Sequence, residues 1–253
     1  MIFRTRRFVI ALAPLLLLAA GACDGPRSAS PRLVIGSDLA NPPFASVNAQ
    51  DEPVGRDVEM ARELARRTGR ELEWRRMPFD MLLDAVERGA IDAVVATLGI
   101  TPARTERVPF TRPYYVTGIA VLVRAGDGEP QSLADLAGKH ISAGRGTTSE
   151  SAARSELPRA ILAEPSDKGD NAFERLFAGD VDAIVLDGPN AAAIVAEHPD
   201  RVRRLQPDLA EERYGIPVRP DAPDLLRALD EALRAMEAEG VLDALNRRHG
   251  LAQ

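Results

Sequence analysis

Cysteine is almost absent from this 253-residue chain: Cys23 is its single example, so no internal disulfide can form. The three histidines, His140, His198 and His249, are isolated, and no cluster of His, Cys, Asp and Glu has the spacing of a metal site. A glycine-rich phosphate loop of the nucleotide-binding type is also missing. We therefore expect no metal and no cofactor, and thiol-based catalysis is disfavoured.

Positive charge is also in short supply. The chain has 32 Lys and Arg against 38 Asp and Glu, for a formal net charge of -6 at pH 7. Nucleic acid is excluded as a partner because binding to phosphates requires clustered basic residues. Aromatic residues make up only 4%, but 45% of the residues are hydrophobic and 28% are charged. This balance is typical of a globular protein with one large domain or two of ordinary size.

Long apolar runs are confined to the N-terminus. Three arginines, Arg4, Arg6 and Arg7, precede an apolar run over residues 8–20 and the small residues Gly21 and Ala22. This order is typical of a signal peptide. A membrane anchor is the alternative, but the run is shorter than the roughly 20 residues that span a bilayer. We expect residues 1–22 to be removed on export, which places the rest of the protein outside the cytoplasm.

The segment Leu18–Cys23 resembles the lipobox of bacterial lipoproteins, in which the cysteine becomes the acylated first residue. Ala20 departs from that motif, and ordinary cleavage nearby is the alternative. The resemblance implies a periplasmic or extracytoplasmic protein with a lipid anchor to the cell membrane at Cys23. Residues 23–31 then form a lipidated tether, since their Gly, Pro and Ser content is typical of a flexible linker.

Short β-branched runs alternate with helical patterns in the first half of the chain. The predicted strands are Leu33–Ile35, Leu72–Trp74 and Ala93–Ala96, and the predicted helices contain Val58–Ala65 and Asp80–Arg88. This alternation predicts an α/β fold with mostly parallel sheets.

A repeat points to two lobes. Residues 87–95 and 177–185 share the pattern Gly-x-aliphatic-Asp-Ala-aliphatic-Val, in which glycine ends a helix and a strand follows. Ile141–Gly144 opens the second half as another strand, and the tail is predicted to form a strand at Tyr214–Val218 and a helix at Asp224–Glu239. The chain is predicted to cross from one sheet to the other near Ile119–Val123 and again after Leu186. Two such connections between the lobes would form a hinge with an interlobe cleft, where ligands often bind.

Arg104 is the first candidate binding residue. Thr101 followed by Pro102 predicts a helix start directly after a buried strand. A helix N-terminus favours an anion, and Arg104 in its first turn can grip a carboxylate. The alternative is an ordinary surface arginine.

Two further polar segments follow strands. The segment Gly144–Glu150 includes Thr147 and Thr148, which can cap a helix or face a ligand, and Asp187 is placed to bind an ammonium group. Helix capping alone is the alternative in both cases. Phe44 and Phe79 lie in predicted loops, where they could line a ligand site or pack in a core.

Several motifs in this order resemble the polar-amino-acid-type solute-binding proteins of ABC importers, solute-binding protein family 3. They are Gly36–Phe44, Thr101–Arg104, Phe110–Tyr115, Gly146–Glu150 and Asp187–Pro189, and the resemblance extends from about Arg32 to Gly250. It implies a two-lobed periplasmic-binding-protein fold, with lobe 1 at residues 32–120 and 212–253 and lobe 2 at residues 121–211. It also implies a monomer that closes on an amino acid or small carboxylate and delivers it to a permease and ATPase.

The resemblance also assigns roles to residues. Arg104 corresponds to the arginine that holds the α-carboxylate, and Asp187 to the acid that holds the α-ammonium. Thr97 would supply a backbone contact, and Thr147 and Thr148 would supply N–H and hydroxyl groups from the other lobe. Side-chain selectivity and aromatic packing would come from Asp38, Phe44 and Phe79.

The chain departs from the family pattern at some of these positions. Gly99 replaces a Ser or Thr that helps to hold the carboxylate, and Asn41 replaces a common aromatic residue, so the solute can differ from a standard amino acid. Arg145 could select an acidic side chain or be solvated. Two other functions stay open: a cyclohexadienyl or arogenate dehydratase-like enzyme with Glu150 as its acid, and a ligand-sensing lipoprotein.

Overall fold

The computed structural model describes residues 31–164 and 172–251. The predicted signal peptide and the predicted lipidation site at Cys23 lie outside the described residues. The strands are β1 Arg32–Ser37, β2 Ser46–Val47, β3 Pro53–Val54, β4 Glu71–Arg76, β5 Ala93–Val94, β6 Tyr115–Arg124, β7 His140–Ala143, β8 Ile161–Leu162, β9 Ala183–Asp187 and β10 Val202–Tyr214. The helices are α1 Arg56–Arg67, α2 Phe79–Glu87, α3 Pro102–Thr105, α4 Thr148–Glu156, α5 Ala172–Ala178, α6 Gly188–Glu197, α7 Pro223–Ala238 and α8 Val241–Arg248, and a 3-10 helix covers Leu133–Leu136.

The first sheet has the order β4-β1-β5, and both strand pairs are parallel. Ile35 of β1 pairs with Trp74 on one side and with Ala93 on the other. The apolar face of α1 packs on this sheet together with α7, because both helices carry apolar residues at helical spacing. The α/β expectation is confirmed here.

The second sheet is mixed. Its order is β10-β6-β9-β7-β8, in which β7 is parallel to β8 and β9 while β6 is antiparallel to β9 and β10. A separate core of aliphatic residues covers it, including Val121, Ile141 and Val185. The two larger sheets of the described residues therefore have separate cores, as the two-lobed expectation requires, and β2 and β3 form a third, two-stranded antiparallel sheet.

The long strands β6 and β10 run side by side between these two halves. Gly99 forms an isolated bridge with Tyr214, the last residue of β10, and Ala93 forms one with Val218. The predicted strand at Tyr214–Val218 is wrong: the strand ends at Tyr214 and begins at Val202. Its first part carries many charged residues, which hid the alternation expected of a strand.

The repeated glycines do end helices. Gly89 follows α2 with φ +70°, and Gly179 follows α5 with φ +81°. Each precedes a buried strand that begins with alanine, at Ala93 and Ala183. A side chain disfavours this left-handed conformation, which explains the glycine in both copies of the pattern. Of the helices that the structure describes, none combines the length and apolar character required to cross a membrane.

Candidate functional site

Arg104 lies where the two halves of the molecule meet. Thr101 caps α3 and accepts a hydrogen bond from the Arg104 backbone N–H at 3.3 Å. The guanidinium then donates to the carbonyl oxygen of Gly99 at 2.8 Å and, from its other terminal nitrogen, to that of Gly146 at 2.9 Å. Arg104 therefore connects the loop after β5 with the loop after β7, and it is half-buried rather than an ordinary surface arginine.

Asp187 ends β9 close to this arginine. Its carboxylate accepts a hydrogen bond from the Tyr214 hydroxyl at 2.7 Å and a longer one from Ser149 at 3.4 Å. Although Asp187 is the residue before α6, its side chain makes no capping hydrogen bond to that helix. Helix capping therefore does not explain the aspartate at this position.

A second acid, Glu212 of β10, lies beside Asp187. It is only 4% exposed, and its Oε1 accepts a hydrogen bond from the Thr148 hydroxyl. The two carboxyl groups lie close enough for the negative charge of Asp187 to act on Glu212. Two buried carboxylates this close would repel each other, which favours a proton on one of the pair.

Burial controls the protonation of this cluster. It raises the pKa of Glu212 to about 8, with a further contribution from the negative charge of Asp187. Burial also raises the pKa of Asp187. It lowers the pKa of Arg104, while the nearby acids Glu212 and Asp187 act in the opposite direction because they favour the charged guanidinium. The acid pair therefore favours keeping one proton at pH 7, beside the Arg104 guanidinium.

Sequence reasoning missed Glu212. It lies in the run Glu211-Glu212-Arg213, a pattern typical of an exposed surface. The available signal was its position two residues before Tyr214, because residues two apart in a strand point to the same face. Tyr214 is fully buried, so Glu212 is directed inward with it.

Space for Glu212 depends on Gly99. A Cβ atom at this glycine would lie 2.7 Å from Glu212 Oε1 and 2.7 Å from Thr148 Cγ2. Thr147, in contrast, acts as the cap of α4: its hydroxyl donates to the Gly144 carbonyl at 2.6 Å and accepts from the Glu150 N–H at 3.2 Å. Thr148 therefore contacts the acid pair, while the Thr147 side chain is used in capping.

The loop after β1 supplies further polar groups. Asn41 donates to Thr97 Oγ1 at 2.8 Å and accepts from Asn190 of α6 at 2.7 Å, which links the two halves a second time. Thr97 has φ 48°, a strained conformation for a β-branched residue. Asp38 Oδ1 is buried and meets no hydrogen-bond partner among the described residues, and burial raises the pKa of Asp38.

The two predicted aromatic residues differ in position. Phe79 is half-buried, and its ring centroid lies 6.0 Å from Arg104 Cζ, next to the site. Phe44 is fully buried and packs edge-on against Tyr115 at 5.2 Å and Tyr214 at 5.6 Å between ring centroids. The expected ligand-facing role of Phe44 is corrected: its ring belongs to the core and supports Tyr214.

Glu150 is held as an ionised carboxylate. The Gly146 N–H donates to its Oε2 at 2.7 Å, and Arg154 donates to its Oε1 at 2.9 Å. These bonds lower the pKa of Glu150, whereas a general acid requires a raised one. Arg145 in the same loop is exposed. Over the part of the chain that the structure describes, no group of three or more His, Cys, Asp and Glu is arranged to hold a metal ion.

Taken together, the loops after β1, β5, β7 and β9 bring a guanidinium, hydroxyl groups and carboxyl groups to one place between two sheets. Such a site can bind a small molecule that has an anionic end and a cationic end. Positions at the carboxyl ends of strands, between two α/β halves, are where such folds bind small ligands. The fold and the site define a two-lobed solute-binding protein.

Comparison with known proteins agrees with this class. The chain belongs to the bacterial extracellular solute-binding proteins, family 3, whose model matches residues 33–252. It is 30% identical over 223 residues to the ABC transporter arginine-binding protein 1 of Escherichia coli strain K12, covering 87% of this chain and 90% of that protein.

Two solved structures are similar over most of the chain. An ancestral arginine-binding protein bound to arginine has a TM-score of 0.78 and 32% identity, and 86% of this chain and 97% of that chain are covered. An ancestral amino acid-binding protein described as a precursor of cyclohexadienyl dehydratase has a TM-score of 0.77 and 29% identity, with 86% and 95% covered. Both support the two-lobed fold.

Proposed function

We propose that the protein captures an amino acid between its two halves and delivers it to an ABC importer. The observation that carries this function is the position of Arg104 opposite Asp187 and Glu212 in a largely buried site. A guanidinium can bind the α-carboxylate of an amino acid through two hydrogen bonds, and Asp187 can bind its ammonium group. The arginine-binding relative of an ABC transporter supports the same function.

Closure of the two halves around the solute follows from the contacts between them. Arg104 bonds to Gly146, and Asn190 bonds to Asn41, so the site is completed only when the halves are together. A solute held by both halves shifts the population toward the closed state. We place lobe 1 at residues 32–120 and 212–253 and lobe 2 at residues 121–211, with β6 and β10 as the hinge.

We also propose that the protein is a monomeric lipoprotein held at the cell membrane by Cys23. The lipobox-like segment Leu18–Cys23 supports the anchor, and the solute-binding family supports a position outside the cytoplasm. An anchored receptor would remain close to the permease and ATPase that accept its solute. Mass spectrometry of the protein recovered from membranes tests the acylated cysteine.

The function is tested by thermal unfolding of the protein expressed from the full sequence, freed of bound ligand by unfolding and refolding. We expect one of the standard amino acids to raise the Tm, because ligand at 100 times its Kd stabilises a protein by about 2.7 kcal/mol. Arg104→Ala should weaken binding at least tenfold, since a hydrogen bond to a charged group contributes roughly 1.5–3 kcal/mol. Arg145→Ala, which changes an exposed arginine nearby, is the control and should leave the Kd unchanged.

If no amino acid or simple carboxylate shifts the Tm, the receptor function is contradicted. An equal Kd for Arg104→Ala and wild type would place the solute elsewhere. The variant Glu150→Gln separates binding from catalysis. We expect this variant to bind the solute as wild type does. We also expect wild type to form no product from prephenate or arogenate. Product formation that is lost in Glu150→Gln would establish the dehydratase function instead.

A further inference from the structure

Glu212 has no role in the binding scheme that the sequence motifs provide, yet it is the most deeply buried acid of the cluster. Its Oε1 bonds to Thr148, while Oε2 is buried and receives no hydrogen bond from a donor group among the described residues. The contact that Glu212 makes with Asp187 joins two groups that would repel each other if both were ionised. A buried carboxyl oxygen without a donor costs free energy, and a cationic ligand would supply the missing hydrogen bond.

We propose that Glu212 is a specificity-determining residue that selects an amino acid with a net positive charge, and that this ligand displaces the proton held between Glu212 and Asp187. This proposal rests on the proposed amino acid-binding function. It names the ligand class as basic amino acids. Gly99 belongs to the same arrangement, because any side chain there would collide with the Glu212 carboxyl group.

The site holds two acids and one guanidinium, so it is complementary to a ligand with a net positive charge when both acids are ionised. The charged groups that act on Glu212 are Asp187 of β9 and Arg104 of α3, and the neighbouring Tyr214 of β10 is neutral because burial raises its pKa well above 10. Asp38 faces Arg76 instead. With Glu212 protonated, Arg104 and Asp187 cancel, and a zwitterion with no net charge leaves the site neutral.

A basic amino acid adds one positive charge to this neutral site. Release of the proton from the carboxyl pair restores neutrality, and an uncompensated buried charge is avoided. The proton leaves to solvent, and no covalent bond to the ligand forms or breaks. A neutral amino acid provides no such exchange, so its binding should leave the proton in place.

Calorimetry with L-arginine and L-citrulline tests the proposal, because citrulline is close in shape to arginine but has no net charge. Titrations in two buffers of different ionisation enthalpy measure the protons released. At pH 7 we expect close to one proton released with L-arginine and none with L-citrulline. The Kd for L-arginine should fall about tenfold per pH unit from pH 6 to 7.5, as expected for release of one proton.

Glu212→Gln should remove this pH dependence and reduce the preference for L-arginine over L-citrulline at least tenfold at pH 8. Glu211→Gln is the matched control: it neutralises the adjacent acid of β10, which is 58% exposed and pairs with Arg213, and it should behave as wild type. A pH dependence unchanged in Glu212→Gln, or tighter binding of L-citrulline by wild type, would overturn the proposal. If wild type binds an acidic or neutral amino acid and not L-arginine, this inference fails while the proposed function stands. If it binds none, the function itself fails.

Discussion

Gly99 shows how a single missing side chain shapes the site. The resemblance to the solute-binding family implies a Ser or Thr at this position, but a side chain here would require its close neighbours to shift. Glu212 Oε1 and Thr148 Cγ2 occupy the space that a Cβ atom would need. The space that a side chain at Gly99 would occupy is therefore taken up by the second acid and by Thr148.

Gly99→Ala is expected to weaken solute binding by roughly five- to 150-fold, because overpacking of a tightly packed site costs about 1–3 kcal/mol. Calorimetric titration with the selected amino acid measures the loss. Adding Thr148→Ser removes the colliding Cγ2 atom but keeps the hydroxyl that bonds to Glu212, so the double variant should recover part of the affinity. An affinity for Gly99→Ala equal to that of wild type would show that the space at Gly99 is irrelevant to binding.

At the residue scale, the sequence indicated Arg104 and Asp187 because each follows a buried strand next to a helix start. A charged side chain directly after a buried strand is recognisable in a sequence, because that position predicts a ligand-binding role. Glu212 does not stand out, because only the register of β10 turns it inward. Its protonation depends on neighbours that are distant in the chain, which no local pattern reports.

At the scale of elements, a buried network connects α1 with the site. Arg56 of α1 is fully buried and pairs with Asp57 at 2.9 Å, and it also donates to Asn246 of α8 at 3.0 Å. Asp57 accepts a hydrogen bond from the Tyr114 hydroxyl at 2.7 Å, and this hydroxyl also contacts the backbone of Thr97. The network therefore supports the strained backbone of a binding-site residue.

Tyr114→Phe should lower the free energy of unfolding by about 1–3 kcal/mol, because it leaves the buried Asp57 carboxylate without its hydroxyl partner. Urea denaturation measures the change. Arg227→Ala, which removes an exposed ion pair with Asp224 on α7, is the control and should cost less than about 0.5 kcal/mol. A loss for Tyr114→Phe no larger than that of the control would contradict the structural role of the network.

The helices and strands that the sequence predicted are those in which apolar residues recur with a clear helical or strand period. The helix expected at Asp224–Glu239 is observed as α7, and the strand expected at Leu72–Trp74 lies within β4. The strand β10 was missed because arginines and glutamates interrupt its apolar face and Pro207 lies within it. Pairing with β6 at residues 202–205 and 210–214, a long-range contact, is what stabilises it.

At the scale of the whole molecule, the buried acid pair should make ligand-free stability depend on pH. The folded-state pKa of Glu212, about 8, is above the ordinary value of 4.5. The folded state therefore binds more protons than the unfolded state between these values, and the stability from this group is lost as pH rises through that window.

Glu212→Gln should therefore stabilise the ligand-free protein relative to wild type, and the difference should grow from pH 5 to pH 8. The increase is at most about 1.4 kcal/mol per pH unit. Thermal and urea unfolding at pH 5, 6.5 and 8 measure it, with Glu211→Gln as the control. A constant difference across this range would show that Glu212 is already ionised in the ligand-free protein.

The most direct test of the account is a crystal structure of the protein with L-arginine. We expect the α-carboxylate on the Arg104 guanidinium, the α-ammonium within hydrogen-bond distance of Asp187, Glu212 facing the ligand, and the two halves closed around it. A groove of about 1170 Å³ lies elsewhere, lined by residues that include Ala192, Glu211 and Leu251. Ligand bound in that groove, or in the cleft without contact to Arg104 and the acid pair, would contradict the account.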